Sequence, residues 1–293
     1  MAEARGTAED RPTGGAGRAS HPEAVAAAAV VHPAPAEVDA RAAAFFDLDN
    51  TVLRGASAFY LARGLYRRRF FRLRDIVSLT WHQTRFLAVG ENLDQVAQMR
   101  ERALVFVRGH RVDELCGIAE EVYDEGIAER IWPGAMALAQ AHLDAHQRVW
   151  LASATPVEMA DVIARRLGLS GALGTVAEHV DGVYTGRLVG TTLHGADKAA
   201  AVEALALREG LDLARCAAYS DSANDIPLLE LVGDPCAVNP DARLRAHAVA
   251  HGWRVRDYRR AHKVARIGLP TLSGVLSGAA GALVAAAVHR RRR

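Results

Sequence analysis

Four short apolar runs, Ala42 to Phe46, Val149 to Ala152, Cys216 to Tyr219 and Cys236 to Val238, constrain this chain more than any other feature. None is long enough for an independent helix and none alternates with polar residues, so each reads as a strand buried on both faces. Helix-spaced apolar residues separate them, and strands alternating with helices predict an α/β domain around a mostly parallel sheet. Composition agrees: 50% of the 293 residues are hydrophobic and 24% are charged, which excludes a collagen-like, coiled-coil or wholly disordered chain.

Lysines and arginines number 36 against 34 aspartates and glutamates, a net charge of +2. That balance excludes a dedicated nucleic-acid binder. Cys116, Cys216 and Cys236 lie far apart, so neither a CxxC metal knuckle nor a disulfide framework is expected, and a reducing compartment is favoured.

Residues 1–41 are rich in Ala, Pro, Gly and Glu and poor in large apolar side chains. Such a segment cannot bury enough surface to offset its ordering entropy and is expected to be disordered. Its one apolar stretch, Ala24 to Val31, is short and follows acidic residues, which does not describe a signal peptide. The first and second strands are separated by about a hundred residues, far more than a direct crossover needs. Ala58, Leu61, Ala62 and Leu65 recur at helix spacing, as do Val112, Leu115, Cys116, Ala119, Val122 and Tyr123, so a helical cap over 55–129 interrupts a core formed by 42–54 and 130–262. A second insertion, His179 to Thr192, holds Asp181-Gly182 between Val180 and Val183, a hairpin signal.

The tail, 263–293, contrasts with the rest. Ile267 to Val288 runs for about 22 residues without a charge, enough to cross a ~30 Å hydrocarbon core. Arg254, Arg256, Arg259, Arg260, Lys263 and Arg266 precede it, and Arg290 to Arg293 follow. A membrane-spanning or membrane-inserted helix over 267–288 is expected, with a buried or surface terminal helix as the alternative. The longer basic flank favours a folded domain on the cytoplasmic side, where such a helix would anchor it to the inner face of the cell membrane.

Chemistry gathers just after the strands. Asp47-Leu48-Asp49-Asn50-Thr51 follows the first run. Carboxylates two apart in extended chain share a face, so they repel unless a cation or proton intervenes, and a hard divalent ion such as Mg²⁺ is the natural partner. Ser153-Ala154-Thr155-Pro156-Val157-Glu158 follows the second run. Thr155 and Glu158 fit a capping box and Pro156 the first helical position, which predicts a helix N-terminus facing the strand ends, where a phosphate is attracted and Ser153 can add a hydroxyl donor. Lys198 opens an amphipathic helix, where its charge runs against the dipole; taken alone it reads more readily as a solvated surface lysine than as a functional one. Asp221-Ser222-Ala223-Asn224-Asp225 follows the third run and either completes a metal site or caps the next helix.

In this order these four elements resemble the haloacid dehalogenase superfamily: Asp47 to Thr51 its DxDxT motif, Ser153 its hydroxyl motif, Lys198 its lysine motif, Asp221 to Asp225 its acidic motif. The helical insertion and hairpin resemble its phosphoserine-phosphatase-like branch, subfamily IB. The resemblance covers roughly Ala42 to Tyr258. It implies a Rossmann-like core and a Mg²⁺-dependent phosphomonoesterase in which Asp47 forms an aspartyl phosphate and Asp49 moves the proton. Mg²⁺ is held by Asp47, the backbone carbonyl of Asp49 and Asp221; Ser153 and Lys198 bind phosphoryl oxygens; Asn224 and Asp225 orient the metal's water or Lys198; Thr51 fixes its loop by hydrogen bonding to backbone. Two other readings use the same chain: a regulatory or scaffold protein on this fold, and a phosphotransferase using the same aspartyl phosphate.

One position departs from that branch. Phosphoserine phosphatases carry an acidic residue nine positions past the nucleophile, where it recognises the substrate amine, and here that position is Ala56. The cap offers instead Arg63, Arg67, Arg68, Arg69, Phe70, Phe71, Arg72 and Arg74, either a solvated helix end or, with the basic tail, a surface for anionic lipid and a lipid-linked phosphate.

Overall fold

The computed structural model describes residues 29–31, 41–70 and 107–259. Residues Ala43–Phe46 (β2), Arg148–Pro156 (β3), Gly171–Thr175 (β4), Ala217–Ser220 (β7), Asp234–Val238 (β8) and Arg254–Arg256 (β9) pair in parallel. A seventh strand, Ala29–Val31 (β1), pairs antiparallel to β4 and gives the order β1-β4-β3-β2-β7-β8-β9. The expectation of a disordered segment through residue 41 is corrected at β1: an apolar run too short to build a core still gains a ladder of hydrogen bonds at a sheet edge.

Successive residues of β2 point to opposite faces, which divides the core. Phe46 packs with Leu151, Ile163 and Tyr219 on one side, whereas Phe45 packs with Trp150, Val202 and Leu228 on the other. Helices Pro133–Asp144 (α3) and Val157–Arg166 (α4) cover the first face, and Ala196–Glu209 (α5), Ile226–Leu231 (α6) and Ala242–Ala250 (α7) belong to the second. From β2 the chain moves outward through β3 and β4, then returns to β7 on the opposite side. That reversal marks the carboxyl ends of β2, β3 and β7 as the place where ligands settle in open α/β sheets.

The insertion leaves and rejoins the core through a paired stalk. Arg54 N–H donates to Arg130 carbonyl oxygen at 2.8 Å and Trp132 N–H to Val52 at 2.8 Å. Its described helices are Ser57–Arg67 and Val112–Val122, α1 and α2 of the chain, the second continuing through a π turn at Tyr123–Ile127. They meet closely because Gly64 lacks a side chain: a Cβ there would lie 2.5 Å from Val122 Cγ2. Residues Ala177–Val180 (β5) and Val183–Leu188 (β6) form the hairpin, with Asp181 and Gly182 at φ +51° and +74°, the left-handed pair its tight turn requires. Val112 N–H donates to Gly182 and Tyr184 N–H to His110, so the hairpin is stitched to the start of α2.

Among the described residues no helix is long and apolar enough to cross a membrane. The helix expected over 267–288, Phe71, Arg72 and Arg74 all lie outside them.

Candidate active site

Asp47 stands directly beyond β2, its N–H donating to the Tyr219 carbonyl oxygen of β7 at 2.9 Å. Phe46 stacks on the Tyr219 ring, centroids 4.2 Å apart and 11° from parallel, which fixes the strand end. Asp49, two residues on, accepts the Ser57 N–H at 2.8 Å and so holds the first turn of α1. A tight loop makes this reach: Asn50 sits at φ +59°, and Val52 and Leu53 N–H both return to Leu48.

Lys198 is not a surface lysine. It is 3% exposed in the first turn of α5, and its Nζ donates to Asp47 Oδ1 at 2.7 Å and to Asp225 Oδ2 at 2.8 Å. Gly195 at φ +55° lets the chain turn into α5 beside the Asp221–Asp225 loop. Asp225 Oδ2 also accepts from Ser220 Oγ at 2.7 Å. Burial works against the Lys198 charge, and the carboxylates of Asp47 and Asp225 more than offset it, so its ammonium is held above its ordinary value. Burial pushes the Asp47 carboxyl up to about 7 against the pull of Lys198, with Asp225 and Asp221 adding to the rise. Burial, then Asp225, pushes Asp221 up to about 7 as well. Lys198 and Arg259 face the carboxylates of Asp47, Asp221, Asp225 and Asp241, which leaves surplus negative charge at the strand ends.

Ser153, 2% exposed near the end of β3, donates its hydroxyl to Thr155 Oγ1 at 3.0 Å. The predicted capping box is corrected here. Strand β3 continues through a register shift to Pro156, which becomes the N-cap of α4, and no side chain caps that helix. Thr155 therefore stays in the strand and meets Ser57 Oγ, while Glu158 Oε1 accepts the Tyr184 hydroxyl at 2.7 Å. Thr51 is a second correction: it is fully buried, but its hydroxyl has no hydrogen-bond partner among the described residues, because the loop's backbone groups pair with one another. Asn224 is exposed, with its N–H held by Ser222 Oγ, and Asp225 rather than Asn224 reaches Lys198.

Several residues that position this site escaped the sequence reading. Asn239, fully buried at φ +49°, donates its amide to the Asn50 carbonyl oxygen at 3.0 Å and accepts the Tyr258 N–H at 2.7 Å, tying the loop after Asp47 to the end of the sheet. Asp241 caps α7 and also receives the Ala223 N–H at 2.8 Å, while its own N–H donates to Asp221. Nothing local in Asn239-Pro240-Asp241 points to residue 50.

A parallel sheet that gathers paired carboxylates, a buried lysine and a buried hydroxyl at adjoining strand ends defines a hydrolase of the phosphatase class. Residues 44–230 match the haloacid dehalogenase-like hydrolase family. The chain is 54% identical over 272 residues to phosphoserine phosphatase SerB1 of Mycobacterium tuberculosis, spanning 92% of this chain and 87% of that one. It is 30% identical over 222 residues to a histidinol-phosphatase of Neisseria meningitidis, 74% of this chain and 98% of that one. Among solved structures, a protein of unknown function from Bordetella pertussis superposes with a TM-score of 0.63 at 33% identity, covering 74% of this chain and 98% of its own. The chain belongs to the haloacid dehalogenase-like hydrolases, and it is a phosphatase of that family.

Proposed function

We propose that the protein is a Mg²⁺-dependent phosphomonoesterase acting on a small organic phosphate through an aspartyl-phosphate intermediate. The observation that carries this reading is the buried set Asp47–Lys198–Asp225, because it holds one carboxylate ready at the strand ends beside a fixed cation. Among the described residues no three His, Cys, Asp or Glu side chains form a metal cluster. The donor set instead suits a hard cation: Asp47, Asp221 and the Asp49 carbonyl are all oxygen donors, and the surplus negative charge among the carboxylates calls for one. When bound there, Mg²⁺ screens the nucleophile from the phosphoryl oxygens and neutralises charge that develops on them.

Asp47 attacks phosphorus and the ester oxygen leaves. Asp49, held by the Ser57 N–H, donates a proton to that oxygen and then takes one from the water that hydrolyses the aspartyl phosphate. Lys198 and Ser153 donate to the phosphoryl oxygens, and Asp225 with Ser220 keeps Lys198 in place. The order of the motifs supports hydrolysis, and it leaves phosphotransfer to an alcohol with the same residues. The relatives' names support a small phosphorylated metabolite. Ala56, the exposed residue just before Ser57 and Asp49's contact, offers no carboxylate to a substrate amine, which argues against phosphoserine as the preferred substrate. The membrane anchor over 267–288 lies outside the described residues, and of the cap's basic stretch Arg67 pairs with Glu125 and Arg68 with Glu121, so a lipid phosphate draws no support from the fold.

Hydrolysis of an aryl phosphate by the full chain tests the proposal. Activity should require Mg²⁺ and disappear in Asp47→Asn; turnover that survives this substitution refutes the nucleophile. Comparing phosphoserine with other small alkyl phosphates tests the reading of Ala56, and a preference for phosphoserine would overturn it.

A further inference from the structure

Two buried hydroxyls lie between the phosphate-binding strand end and the cap. Ser57, the first residue of α1, is fully buried, and Thr155 near the end of β3 is 4% exposed. Their hydroxyl oxygens are 2.5 Å apart, and Ser153 Oγ donates to Thr155 Oγ1 at 3.0 Å. Thr155 N–H points back to Ser153 Oγ at 3.2 Å. The far end of this chain is also tied to the chemistry, since the Ser57 N–H donates to Asp49 Oδ1.

A hydroxyl has one proton to donate and two lone pairs with which to accept. As the chain stands, Ser153 gives its proton to Thr155 and has none for a phosphoryl oxygen. When Ser153 turns that proton toward a bound phosphoryl group, the Thr155 hydroxyl can rotate to donate into Ser153, and Ser57 can rotate to donate into Thr155. No proton leaves its own oxygen and no internal hydrogen bond is lost. In the reversed order Ser153 Oγ accepts from both the N–H and the hydroxyl of Thr155, so its single proton is directed outward. The geometry points to Ser57 and Thr155 as positioning residues that set the donor direction of Ser153, and to this three-hydroxyl chain as the link between phosphate occupancy and the seating of the cap helix. The inference rests on the phosphatase reading of Ser153.

Thr155→Val, close in volume, and Ser57→Ala each break the chain, whereas Thr155→Ser keeps it. Titration calorimetry of inorganic phosphate into the full chain with Mg²⁺ present should show binding weakened about 10-fold in each broken variant. KM for the aryl phosphate should rise by a similar factor, with kcat changed less. Thr155→Ser should bind like the parent, and Thr155→Val/Ser57→Ala should be no weaker than either single variant. A Thr155→Val protein that melts with the parent and binds phosphate equally well overturns the inference; if that variant fails to fold, Ser57→Ala decides on the same readout. A parent that binds phosphate without hydrolysing any ester overturns the phosphatase reading and leaves the chain to be decided by binding. A parent that does neither overturns both.

Discussion

Lys198 is where the charge balance of the site turns. Its ammonium bridges two carboxylates that are each at most 9% exposed at the side chain, so its removal leaves two buried anions facing one another. Breaking a buried ion pair from one side costs about 3–5 kcal/mol, because the orphaned charge remains. Lys198→Met, which keeps the stem, should therefore lower unfolding free energy by about that amount in urea titration and reduce turnover by at least about 100-fold. A variant as stable as the parent would show that the carboxylates take up protons without cost. The motif residues were legible because each carries a chemistry that few side chains share and each follows a strand. Ser57, Thr155 and Asn239 were not: serine, threonine and asparagine are common in loops, and their partners lie 98 residues away for Ser57 and Thr155 and 189 for Asn239 and Asn50. The Thr51 hydroxyl shows the converse, a motif residue whose expected bond is missing.

At the scale of elements, the two described cap helices are set by one absent side chain and one hairpin. Gly64→Ala adds a favourable helix former, worth about 1 kcal/mol, but the new Cβ would fall 2.5 Å from Val122 Cγ2 and 2.9 Å from Ile118 Cγ2. Overpacking of that kind costs about 1–3 kcal/mol and should win, so the variant should unfold at lower denaturant than the parent. The hairpin carries Tyr184 into the core to donate to Glu158, whose carboxyl burial pushes above its ordinary value and whose Oε2 has no hydrogen-bond partner among the described residues. Tyr184→Phe removes the one side-chain donor to that carboxylate among the described residues and should destabilise the protein by about 1–3 kcal/mol. The raised Glu158 value means that the native state keeps a proton the unfolded chain releases above 4.5, so this contribution to stability falls as pH rises, and the loss in Tyr184→Phe should be larger at about pH 8 than at about pH 5. Equal losses at both values would show that Glu158 stays charged throughout. Strands with long apolar runs and the Asp181-Gly182 turn were readable from local pattern. The start of α4 was misread by a residue or so because a bulge in β3, a property of the paired sheet, decides where the strand stops.

Only the whole molecule brings the surplus charge together: β2 pairs in parallel with β3 on one side, about a hundred residues later in the chain, and with β7, later still, on the other. The apolar runs were legible as strands and the chemistry was legible just after them, whereas the strand order that reverses beside β2 is a property of the paired sheet; the edge strand β1 was invisible because its pairing, not its composition, makes it a strand. Asp47 and Asp221 sit near 7 in the folded chain against 3.8 unfolded. The native state therefore holds protons between about pH 4 and about pH 7 that the unfolded state has released, and the stability contributed by those two groups without metal is present below that window and lost as pH rises through it. A divalent cation needs both carboxylates ionised, so its binding competes with those protons and strengthens over the same window. The rise in Tm on adding Mg²⁺ should accordingly be small at about pH 5.5 and large at about pH 7.5, following the differential binding to the native state. Asp221→Asn, which removes one carboxylate from the set, should flatten both. A shift of equal size at the two pH values, or one that survives Asp221→Asn, would place the cation away from the strand ends and remove it from the chemistry of Asp47.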